Sequence, residues 1–100
     1  MERYDEVRQW WDRHVKTRIP PRWKIEDVAG VEMILVDNYV AGCVSTWLHN
    51  KSSLDPWRRG VVESCLADLD AVLPLLTDPL ELAYTHHLRV GAELVRDRPA

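Results

Sequence analysis

The chain reads as all-α, a small antiparallel bundle of about four helices, and three observations predict it. Apolar residues recur at helical spacing near both ends. Two Asp-Pro pairs, Asp55-Pro56 and Asp78-Pro79, each place a good N-cap before a residue suited to a first helical turn. Between these features, the run from Val31 to Leu48 carries only two charges, Glu32 and Asp37, in a chain otherwise thick with Arg, Asp and Glu. That contrast marks the core. One hundred residues favour one domain over 1–100, since a chain this short cannot build two independent cores.

The first helix is expected over about 2–17. Tyr4, Val7, Trp11 and Val15 follow the 3.6-residue period with charged residues between them. Ile19-Pro20-Pro21 stops it, because the residue before a proline is pushed out of the α region and each proline lacks a backbone donor. A proline-containing linker, 18–24, then leads to a bundle body over 25–97. One helix from about Val28 to Leu48 is preferred for the uncharged run, because Asn38, Gly42, Ser45 and His49 recur at helical intervals as a narrow polar face. The minority alternative is α+β, with a short strand at 31–36 and Asp37 capping a shorter helix. From Pro56, Trp57, Val61, Cys65, Leu69 and Val72 form the stripe of a core-facing helix that Pro74 should kink or end. The last helix begins at Pro79, where Glu81 stands three residues after Asp78 as a capping box requires. Its stripe includes Leu80, Tyr84, His87, Leu88, Gly91 and Val95, and it is expected to fray near Asp97.

The net charge of −3 is unevenly spread. Residues 1–25 hold seven basic and four acidic side chains; residues 26–100 hold six and twelve. The acidic total makes nucleic acid an unlikely partner. Charges in Met1-Glu2-Arg3-Tyr4-Asp5 stand where an export signal would be apolar, so a cytoplasmic location is expected. Asp37 argues against Val31–Leu48 as a membrane span. Arginine outnumbers lysine ten to three, which suggests a bacterial source with a GC-rich genome.

Five residues are candidates for binding: Trp10, Arg18, Arg22, Trp23 and Asp37. An ionised carboxylate within an apolar segment is costly unless something pairs with it, so Asp37 is either a site or a residue held by a cap or by an arginine such as Arg22 or Arg58. Trp11 joins the helix stripe, so Trp10 points about 100° away, either outward as an interface residue or onto the boundary beneath a loop. The stretch from Arg13 to Lys24 holds Arg13, Lys16, Arg18, Arg22 and Lys24 with no acid and with Trp23 among them. It could grip a phosphate, a carboxylate or an acidic partner, or be a solvated face. His14, His49, His86 and His87 lack metal-ligand spacing, so no metal is predicted. His87 falls on the apolar stripe and His86 off it. Cys43 and Cys65 are expected to be buried free thiols, and Gly42 a place of close helix approach.

No catalytic motif, phosphate loop or cofactor signature is present, and catalytic residues and cofactors are both expected to be none. The reading leans away from an enzyme. It expects a protein-interaction or regulatory module acting through a protein partner or as a homodimer. A small ligand-binding protein or enzyme with a site around Asp37 is the alternative.

Overall fold

The computed structural model describes residues 2–96 and is all-α. Four helices pack on one another: α1 (Arg3–His14), α2 (Met33–His49), α3 (Pro56–Val72) and α4 (Pro79–Val95). No strand occurs among the described residues. Short 3-10 turns occupy Pro21–Lys24 and Leu73–Leu75. The nearly uncharged α2 packs against α1, α3 and α4, which is the reason its sequence needs so few charges. Its Met33, Val36, Val40, Cys43, Val44 and Trp47 are buried, while Asn38, Gly42 and His49 are exposed along the expected polar face.

The starts of α3 and α4 are where Asp-Pro placed them. The Asp55 carboxylate accepts from the Arg58 N–H, and Asp78 accepts from the N–H groups of Leu80 and Glu81. The capping box is only half made, because Arg22 takes the Glu81 side chain instead. Pro74 ends α3 as expected, leaving a single 3-10 turn before Leu76. The fraying expected at Asp97 lies outside the described residues.

Three local expectations are corrected. The first helix stops at His14, not at 17, and the next residues turn away before the prolines. The second helix begins at Met33, because Val28 and Val31 exchange backbone hydrogen bonds of 3.0 and 2.9 Å across Ala29 and Gly30, both with positive φ. Gly30 supplies that conformation without strain. The strand alternative for 31–36 fails, since Met33–Val36 is helical and Asp37 lies within α2 instead of capping it. Close helix approach is found at Gly91 and not at Gly42. A Cβ at Gly91 would overlap the Trp10 ring, whereas one at Gly42 would meet nothing within 4 Å.

Candidate functional site

The buried face of α1 is Val7, Trp10 and His14, spaced three and four apart, and not the predicted Tyr4–Val7–Trp11–Val15 stripe. Tyr4 and Val15 are exposed, and Trp11 is only partly buried. The helix rotates this way because His14 has partners inside. Its Nε2 lies 3.1 Å from Asp37 Oδ1 on α2, and its Nδ1 lies 3.0 Å from His87 Nε2 on α4. Tyr84, one turn before His87, donates its hydroxyl to the same Asp37 oxygen at 2.7 Å.

Trp10 therefore cannot be an exposed interface residue; it is 6% exposed. Its ring stacks on both His14 and His87 with centroids 4.5 Å apart, and its indole N–H donates to the His87 carbonyl at 2.7 Å. Trp23 is buried edge-on against Tyr84, 5.5 Å between centroids. Its indole nitrogen is a buried side-chain atom without a hydrogen-bond partner among the described residues.

Asp37 finds neither of the arginines anticipated for it. Arg58 pairs with Asp55, while Arg22 makes a two-pronged contact to buried Glu81 at 2.7 and 2.6 Å and a further one to Glu26 at 3.3 Å. Arg22 thus clamps the Pro21–Lys24 turn onto the start of α4. Glu81 is raised by this from a cap residue to an anchor.

Asp37, His14 and His87 form a chain and not a converging cage, since His14 spends its two ring nitrogens on opposite neighbours. With one hydrogen on each imidazole ring, the geometry dictates their order. The carboxylate takes the His14 Nε2–H, which leaves His14 Nδ1 as acceptor for the His87 Nε2–H. The lone pair of His87 Nδ1 is then the free end. That atom has no hydrogen-bond partner among the described residues and is not sealed from solvent. His87 resists protonation; its pKa is pushed down to about 4, first by burial, then by His14 and Arg13, with Asp37 opposing. Burial raises the Tyr84 pKa, and the bond to Asp37 adds to it.

His87 and Tyr84 border a cleft of about 800 Å³ between the Arg13–Lys24 segment and α4. Its walls are apolar, from Ile19, Pro20, Pro21, Leu80 and Ala83, and Arg13, Arg18 and Lys24 bring three cations to it. None of the three makes an ion pair among the described residues. Three of the sequence candidates, Trp10, Trp23 and Asp37, thus meet through His14, Tyr84 and His87, which sequence reasoning did not single out as a group, and a fourth, Arg18, lines the cleft beside them. The usable signal was His14 at four after Trp10 and seven after Val7, a core spacing masked by counting histidine as polar.

Cys43 and Cys65 are free and buried, and take no part in this group. Burial raises both thiol pKa values, that of Cys65 to about 12, so neither is an activated nucleophile. No helix among the described residues is long and apolar enough to cross a membrane. Comparison with protein-family models, curated proteins and solved structures found no match.

Proposed function

We propose that this protein binds a small organic anion, an oxyanion carried on an apolar body, in the cleft between the Arg13–Lys24 segment and α4. The observation that carries the reading is the pairing of apolar walls with Arg13, Arg18 and Lys24, cations that no carboxylate among the described residues neutralises. Apolar walls hold the body of such a ligand, and the cations hold its charge. The two reduced thiols fit the cytoplasm as the place of action.

The probe is 8-anilino-1-naphthalenesulfonate (ANS), an apolar anion whose charge is constant across ordinary pH. Its fluorescence should rise saturably at one site per chain and weaken with added salt. Arg13→Ala and Arg18→Ala should each weaken binding roughly two- to fivefold, as an exposed charge contact of ~0.5–1 kcal/mol implies. Binding that ignores salt and both substitutions, or no saturable binding, refutes the proposal.

A second reading has its own observation. Leu35 and Tyr39 on α2 and Trp57 on α3 are 42%, 42% and 64% exposed, and Tyr39 and Trp57 border one groove. Exposed rings of this kind suit a protein partner or a homodimer. If this face associates, Trp57→Ala lowers the sedimenting mass and leaves ANS binding intact.

A further inference from the structure

The polar chain ends on the wall of the anion cleft, and its free end is the wrong kind of atom to meet an anion. An unprotonated His87 Nδ1 presents a lone pair, which repels an oxyanion and cannot donate to it. One added proton reverses this. Placed on His87 Nδ1, it creates an N–H donor on a residue that borders the cleft. The His87 Nε2 proton can then pass to His14 Nδ1 across 3.0 Å, which moves the positive charge to the imidazole that lies 3.1 Å from the Asp37 carboxylate. His87 is left uncharged with its new N–H outward, and the imidazolium is held between the carboxylate and the bound anion.

Resting on the anion-binding reading above, we infer that the cleft takes its oxyanion together with one proton from solvent, gained at His87 and stabilised through His14 by Asp37. His87 is then a residue that touches the ligand, and His14 and Asp37 position and charge it. The surroundings explain why the proton is absent until the anion arrives. From α1, Arg13 opposes a charge on His87, and a proton already on His14 opposes a second one, so the pair holds a single added proton; from α2, Asp37 favours it; Arg18 and Lys24 of the connecting segment line the cleft, and Tyr84 on α4 occupies the Asp37 oxygen. No α3 group among the described residues acts on His87. An anion in the cleft offsets the cations, and protonation follows. Arg13 and His87 also border a smaller hollow of about 390 Å³, but Glu6 lines that one and disfavours an anion there.

The test is calorimetry of ANS binding in MES and in bis-Tris, whose different heats of ionisation report protons exchanged. Because ANS stays anionic, any proton taken up belongs to the protein. Uptake should climb toward one proton per ANS between pH 7 and pH 5, with affinity improving by up to about tenfold per pH unit, the limit for one linked proton. His87→Gln should bind ANS with no uptake, and His86→Gln should behave as the native chain. ANS binding without proton uptake, or uptake that survives in His87→Gln, overturns the inference while leaving the cleft standing. Failure of ANS to bind at any pH overturns the cleft reading and this inference with it. Should His87→Gln not fold, ring-proton NMR of the native chain decides: ANS must raise the pH at which the coupled His14–His87 pair takes up its proton, and an unmoved titration refutes the inference.

Discussion

His87 gives the clearest residue-level consequence. Its folded-state pKa of about 4 lies below the ordinary imidazole value near 6.5, so the unfolded chain takes up this proton more readily than the folded one. Stability from this group is therefore complete above about pH 6.5 and is lost as pH falls toward 4. Urea unfolding at pH 7 and pH 4.5 should show the native chain losing more stability than His87→Gln, by on the order of 1–2 kcal/mol once partial exposure is allowed for. Equal losses in the two proteins would mean His87 is not held uncharged by its surroundings. Asp37 was recognisable from sequence because one carboxylate stood in an apolar run. Its partners were not, since His14 and Tyr84 lie on other helices and only packing brings two rings to one oxygen.

Helix starts were readable and helix faces less so. Asp-Pro carries its own chemistry, a carboxylate acceptor followed by a residue that needs no donor, so α3 and α4 begin where local rules put them. The face of α1 depends on what awaits it inside, and there a histidine with two partners outcompeted Tyr4 and Val15. The start of α2 was misplaced because Ala29-Gly30 form a tight turn that a continuous apolar pattern concealed. Glycines separate the helix contacts in a measurable way. The Trp10 ring cannot retreat from Gly91, being stacked on two imidazoles and bonded to the His87 carbonyl. Gly91→Ala should destabilise by about 1–3 kcal/mol, as overpacking does. Gly42→Ala, on the exposed face with open space around it, should stabilise by about 0.5–1 kcal/mol. Thermal or urea unfolding of the two variants checks both signs.

At the scale of the molecule, the bundle and its central helix were predictable because burial of α2 is written in its near lack of charge. The basic stretch Arg13–Lys24 was also visible, and so was the possibility of an anion. Which of its cations remain available was not, because pairing Arg22 with Glu81 across 59 residues is a tertiary event. That clamp holds the segment against α4 and thereby forms the cleft. Arg89 to Asp70 and Arg96 to Glu63 tie α4 to α3 on the surface, and such exposed pairs contribute little individually.

One ordered polar chain joins three helices and ends at His87, on that cleft. The most direct measurement is NMR of the histidine ring nitrogens in the free, ¹⁵N-labelled protein at pH 7. His87 should appear uncharged with its hydrogen on Nε2, the atom 3.0 Å from His14 Nδ1. A His87 ring carrying its hydrogen on Nδ1, or one already doubly protonated, would contradict it.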